Sequence, residues 1–225
     1  MKDRDYSLYL VTDRDLALGR SVAEVAAAAV AGGATCVQVR EKRAGTRAFL
    51  AEVRAALRAL AGTGVPLIVN DRVDVALAAG ADGVHVGQTD LPAADVRRLA
   101  GKGMIVGVSV ESVDDALAAE RDGADYVSVS PVYSTPTKTD TAPGLGPEGV
   151  AAVRAAVRCP VVAIGGLNRD TAGEIVRAGA DGLAVVSALM SAPDPAAAAR
   201  ELREIIAAAR RESPGFGPVS KGSIG

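Results

Sequence analysis

The sequence holds very little of what most catalytic machinery is built from: one histidine, two cysteines and five lysines in 225 residues, with a formal net charge of only −2. No Ser–His–Asp or Cys–His arrangement is visible, and no G-x-G-x-x-G follows a strand-like run. Covalent hydrolase chemistry and dinucleotide redox chemistry therefore have no support. The lone histidine, His85, sits inside "DGVHVG" and reads as a satisfied histidine of a core layer. Cys36 and Cys159 are far apart, each among apolar residues. Two buried free thiols are the expectation, against a disulfide or a shared metal. The near-neutral charge gives no electrostatic case for nucleic acid or an anionic membrane surface. No apolar run approaches the ~20 residues of a membrane span, and "MKDRDYSLYLVTD" has no apolar signal region. A cytoplasmic protein is expected. Positive charge is mostly arginine, so the internal lysines Lys42, Lys102 and Lys138 stand out, because an ammonium point charge does different chemistry from a guanidinium fork.

What the sequence has in quantity is apolar residues, 49% of the chain, enough for one sizeable core. A repeat organises them. Gly33-Ala34-Thr35, Gly80-Ala81-Asp82, Gly123-Ala124-Asp125 and Gly179-Ala180-Asp181 each end an Ala-rich helical stretch and precede a β-branched run, "CVQV", "GVHV", "YVSV" and "GLAVV". Glycine is the usual helix stop at such a junction. Between these runs lie four more: "LYLV" (8–11), "PLIVN" (66–70), "MIVGVS" (104–109) and "PVVAIGG" (160–166). Helical patterns over 21–31, 46–60, 72–79, 92–100, 112–120, 148–157, 170–178 and 195–211 separate them. Eight alternating βα units predict a single-domain α/β fold, a closed (β/α)8 TIM barrel over residues 1–211, with an open doubly wound sheet as the alternative. Residues 212–225, rich in Gly, Pro and Ser, read as a disordered tail.

In such a barrel the site lies where the strands end, so the residues after each apolar run matter most. They are Thr12-Asp13, Arg40-Glu41-Lys42, Asn70-Asp71, Gln88-Thr89-Asp90, Ser109, the loop 130–146, Gly165-Gly166 and Val186-Ser187. Arg40, Lys42 and Lys138 are cations; Asp71 and Asp90 are carboxylates. Acids beside cations suggest a divalent ion bridging to a polyanion, since Mg²⁺ takes one or two carboxylates together with phosphate oxygens and water. Helix capping is the alternative for both aspartates, in "NDRVDVAL" and "TDLPAADV", and an ordinary solvated loop is the alternative for Arg40 and Lys42. Gly165-Gly166 and Val186-Ser187 follow the seventh and eighth runs, where many barrels bind a phosphate monoester through backbone N–H groups. The loop 130–146 is long for a βα connection. It carries Thr135, Thr137 and Lys138, all suited to phosphate oxygens, or else is an idle insertion.

Taken together, "YLVTD" (9–13), "QVREK" (38–42), "ND" (70–71), "DGVHVGQTD" (82–90), "GVS" (107–109), "SPVYSTPTK" (130–138), "AIGG" (163–166) and "VVSA" (185–188) resemble the thiamine-phosphate synthase family over nearly the whole chain. The resemblance implies an enzyme that joins 4-amino-2-methyl-5-(diphosphomethyl)pyrimidine to 4-methyl-5-(2-phosphoethyl)thiazole or its carboxylated form, releasing pyrophosphate by ionisation. It implies Mg²⁺ on Asp71 and Asp90. It implies contacts to the pyrimidine diphosphate from Gln38, Val39, Arg40, Glu41, Lys42, Asn70, Ser109 and Lys138, with Arg40, Lys42, Ser109 and Lys138 serving catalysis. Thr135, Pro136, Thr137, Gly166, Val186 and Ser187 are implied for the thiazole phosphate. The partners are then small molecules, with neither nucleic acid nor membrane, and a homo-oligomer is compatible with all of this. A thiazole tautomerase or regulator of the same fold is the alternative; that branch carries a histidine where Pro131 stands here.

Overall fold

The computed structural model describes residues 4–133 and 144–213. Eight parallel strands close into one barrel in sequence order: β1 (Leu8–Val11), β2 (Cys36–Val39), β3 (Leu67–Asn70), β4 (Gly83–Val86), β5 (Ile105–Val110), β6 (Tyr126–Val129), β7 (Val161–Ile164) and β8 (Gly182–Val185). The helices are α1 (Val22–Ala31), α2 (Thr46–Ala59), α3 (Val73–Ala79), α4 (Ala93–Ala100), α5 (Val113–Arg121), α6 (Gly146–Ala156), α7 (Arg169–Arg177), α8 (Ser187–Met190) and α9 (Pro195–Glu212). The predicted barrel is therefore the observed one. It differs in one additional element, since α8 is a separate turn of helix between β8 and the long α9. The last helix also runs through Glu212, whose carboxylate lies 3.1 Å from Arg177, so the expected tail loses its first residue to the barrel. Residues 214–225 lie outside the described residues.

The Gly-Ala repeat has a structural reason that the sequence alone does not disclose. Gly33, Gly80, Gly123 and Gly179 all have φ between 70° and 108°, the left-handed region that ends a helix at little cost only for glycine. The third residue of each repeat then ties the floor of the barrel together. Asp82 accepts from the Leu67 N–H (2.8 Å), Asp125 from Val106 (2.8 Å) and Asp181 from Val161 (2.8 Å), while Thr35 accepts from Leu8 (3.1 Å). Each even strand thus holds the first turn of the odd strand beside it. That is why the motif recurs at every second unit.

Side chains alternate across each strand, and the core has two compartments. One set, including Leu10, Val37, Val39, Val69, Val84 and Val127, packs between sheet and helices. The other, including Tyr9, Cys36, Ile68, Tyr126, Val162 and Ala184, fills the barrel interior. Both cysteines are free, Cys36 buried and Cys159 partly so. Among the described residues no helix is long and apolar enough to cross a membrane.

Candidate active site

The upper end of the interior opens into a cavity of about 450 Å³ at the C-terminal ends of the strands. Nine residues singled out from the sequence meet there: Gln38, Arg40, Lys42, Asn70, Asp71, Gln88, Thr89, Asp90 and Ser109. Strand alternation sorts the segment 38–42. Gln38, Arg40 and Lys42 share the interior face and line the cavity, whereas Val39 is fully buried in the outer compartment. Val39, implied above as a contact to the pyrimidine diphosphate, has its side chain directed away from the cavity. Glu41, implied above as a contact, does not line the cavity either. Its carboxylate accepts from the backbone N–H groups of Arg43 (2.7 Å) and Ala44 (3.1 Å), which lower its pKa, and Arg14 lies 3.3 Å away. Glu41 thus shapes the β2–α2 loop that carries its two cationic neighbours.

Lys42 crosses to β3, its Nζ 2.6 Å from Asp71 Oδ2. Asp71 reaches this position through an unusual backbone. Its φ is +59°, its N–H donates to the His85 carbonyl (2.7 Å), and Arg72 N–H returns to the Asn70 carbonyl (2.7 Å). Aspartate tolerates this region better than most residues, but the conformation is still costly and is typical of functional sites. Asp90 lies opposite and accepts from Gly87 N–H (2.7 Å). Neither aspartate caps a helix: the N-cap positions of α3 and α4 are Arg72 and Pro92. Burial pushes the Asp90 carboxyl up and the negative charge of Asp71 adds to this, against the Gly87 N–H and Lys42. Two carboxylates that repel one another at the mouth of a polar cavity fit a divalent cation. Among the described residues no cluster of three or more metal-ligating side chains exists. Asp71 and Asp90 are the two carboxylates that this mouth presents.

Arg40 lies 3.8 Å from Asp13, and its N–H donates to the buried Thr12 hydroxyl (3.0 Å), which fixes the end of β2 against β1. On the opposite wall Ile164 and Ala184 line the cavity. Just beyond them Gly166 has φ +66° and Val186 is the N-cap of α8, which Ser187 opens. A short helix therefore follows the eighth strand, with its N-terminal end at this edge. Thr135, Pro136, Thr137 and Lys138 lie outside the described residues, as does most of the loop 130–146.

Sequence reasoning missed several of the cavity walls: Tyr9, His85, Glu111, Ser128 and Ser130. A signal for two of them was available. In "YVSVSP" the hydroxyls of Ser128 and Ser130 fall at alternate positions of a strand otherwise apolar, which places both on the interior face. Gln88, which follows the fourth strand, donates to the Ser109 carbonyl on β5 (2.6 Å).

The comparisons with known proteins agree with this geometry. A family described as Thiamine monophosphate synthase matches residues 8–189. A thiamine-phosphate synthase of Albidiferax ferrireducens is 54% identical over 199 residues, covering 88% of this chain and 91% of its own. One of Chloroflexus aurantiacus is 51% identical over 209 residues, covering 93% and 96%. The solved structure of a thiamine phosphate pyrophosphorylase from Pyrococcus furiosus superposes with a TM-score of 0.84 at 39% identity, covering 92% of this chain and 98% of that one.

Proposed function

The chain belongs to the thiamine-phosphate synthase family, and from that premise we propose how its residues divide the reaction between two substrates. The pyrimidine diphosphate occupies the cavity between β2 and β5, its ring against Gln38, Asn70 and Ser109 and its diphosphate toward Arg40, Lys42 and Lys138. Asp71 and Asp90 hold Mg²⁺, which supplies charge compensation to the leaving group. The thiazole phosphate lies over Gly166, Val186 and Ser187, and Thr135, Pro136 and Thr137 are its further contacts. The C–O bond between the pyrimidine methylene and the diphosphate breaks heterolytically, and the electron pair leaves with pyrophosphate. The aminopyrimidine ring delocalises the cation left on the methylene. The thiazole nitrogen then gives its lone pair to that carbon, forming the C–N bond of thiamine phosphate.

The protein needs no nucleophile for this. Its residues stabilise leaving-group charge, align the two reactants and limit water. The observation that carries the reading is the meeting of Arg40, Lys42, Asp71 and Asp90 at one rim, with buried Gln38 and Asn70 below them. No comparable case exists for the tautomerase alternative, which has no use for a diphosphate-binding mouth. The test is product formation by the purified protein with both substrates and Mg²⁺, each omitted in turn. Thiamine phosphate and pyrophosphate should appear in equal amounts, and only when all three are present. Turnover of a thiazole phosphate without any pyrimidine would favour the alternative.

A further inference from the structure

Five side chains from five strands form a continuous hydrogen-bonded chain through the barrel interior. Gln38 Nε2 donates to Tyr9 Oη (2.9 Å), Tyr9 Oη meets Tyr126 Oη (2.8 Å), Tyr126 Oη meets His85 Nδ1 (2.8 Å), and His85 Nε2 meets Ser109 Oγ (2.9 Å). The phenols of Tyr9 and Tyr126 are almost fully buried. Room for the second exists because β5 carries glycine at 107, where a Cβ would lie 2.1 Å from Tyr126 Cζ. The two ends of the chain, Gln38 and Ser109, are both cavity residues.

Only the first contact of this chain has a fixed direction, the Gln38 amide giving an N–H to Tyr9. Between the two phenols either hydroxyl could donate, and Tyr126 Oη is the acceptor that this chain offers the Tyr9 proton. The proton of Tyr126 then points to His85 Nδ1. An imidazole that accepts at Nδ1 carries its proton on Nε2 when neutral, and that N–H donates to Ser109 Oγ. Burial pushes both phenols well above their ordinary range, so each keeps its one proton.

We infer that Tyr126 is a positioning residue, which through His85 makes Ser109 present its O–H as a donor to the cavity while the opposite end of the chain leaves the Gln38 amide oxygen as an acceptor. A donor facing an acceptor across one pocket matches a ring that carries an exocyclic amine beside an unprotonated ring nitrogen. It mismatches the same ring with an oxo group in place of the amine, where donor and acceptor are exchanged. The inference rests on the pyrimidine reading above. It adds that discrimination between amino and oxo rings is set by residues buried behind the ones that touch the ring.

The chain has a single histidine, so the full protein labelled with ¹⁵N-histidine gives one imidazole to read. The Nε2–H tautomer of His85 at neutral pH is the expected result in the unliganded protein. The Nδ1–H tautomer would overturn the inference whatever the enzyme turns over, and this separates its failure from failure of the functional reading. Tyr126→Phe should release the tautomer preference and lower the affinity ratio of the aminopyrimidine diphosphate over its oxo analogue by about tenfold, the scale of one hydrogen bond. An unchanged ratio and tautomer in folded Tyr126→Phe would overturn the inference. Should that variant fail to fold, the wild-type tautomer still decides.

Discussion

Lys42 and Asp71 meet across the mouth of the barrel, ammonium to carboxylate at 2.6 Å, while Asp90 beside them is held by a backbone N–H. The two aspartates are therefore unequal. Asp71 has a direct cationic partner. Asp90 carries the cost of burial and of its neighbour's charge, and its carboxyl is raised accordingly. Binding of a divalent cation together with a diphosphate would relieve that cost and free Lys42 to face the leaving group.

Replacing either aspartate by asparagine should therefore cut turnover by about a hundredfold or more, since a metal at developing charge contributes several kcal/mol and each 1.4 kcal/mol is tenfold. Steady-state rates at saturating Mg²⁺ for Asp71→Asn and Asp90→Asn check this. Full wild-type activity in EDTA would remove the metal from the account.

The same charge has an opposite effect on stability. A carboxyl whose folded-state pKa lies above its unfolded value weakens the fold as pH rises through the folded value, and has no effect below the unfolded one. Asp90→Asn should therefore raise the melting temperature of the metal-free protein at neutral pH. The gain should shrink as pH falls through the raised pKa of Asp90. Mg²⁺ with pyrophosphate should stabilise the wild type and leave the variant nearly unmoved. A variant that melts lower than the wild type at neutral pH would show that the Asp90 charge is already compensated in the free protein.

At the other end of the barrel, Asp125 accepts from Val106 N–H and from Arg97 (2.6 Å), joining β6 to β5 and α4. Asp125→Ala leaves a strand N–H and a partly buried guanidinium without this partner. A loss of about 1–3 kcal/mol is expected. Denaturant unfolding measures it, and kcat should stay near wild type because the residue is far from the rim. A stability change within a few tenths of a kcal/mol would mean that the repeat's aspartates are not structural ties.

The barrel was legible in the sequence because its signals are local and repeated. Apolar runs of strand length, glycine stops and Ala-rich helical stretches alternate without interruption. The rim was legible for a similar reason: in this fold, the residue after each strand is the residue in the site, so Arg40, Lys42, Asn70, Asp71 and Ser109 follow from position. What was not legible depends on contacts between distant segments. Tyr9, Tyr126 and His85 read as core, and they are core. Their hydrogen bonds link β1, β6 and β4 through a space that Gly107 leaves on β5. Glu41 read as one more charged rim residue, because nothing in "REKRA" shows that its carboxylate closes a turn on Arg43 and Ala44. Helix capping stayed open as the alternative for Asp71 and Asp90 until the backbone placed Arg72 and Pro92 at those positions.

The division of the cavity into a pyrimidine diphosphate half and a thiazole phosphate half is tested most directly by binding each substrate to Gly166→Val. Gly166 has φ +66°, so a branched residue strains the backbone there and crowds the phosphate proposed to lie over it. Calorimetric titration of the folded variant, checked by thermal unfolding, should show thiazole phosphate affinity reduced by at least about tenfold, the scale of a lost charge-assisted contact. Pyrimidine diphosphate affinity should remain near that of the wild type. Equal loss of both affinities in a well-folded protein, or loss confined to the pyrimidine, would contradict the assignment of the two halves.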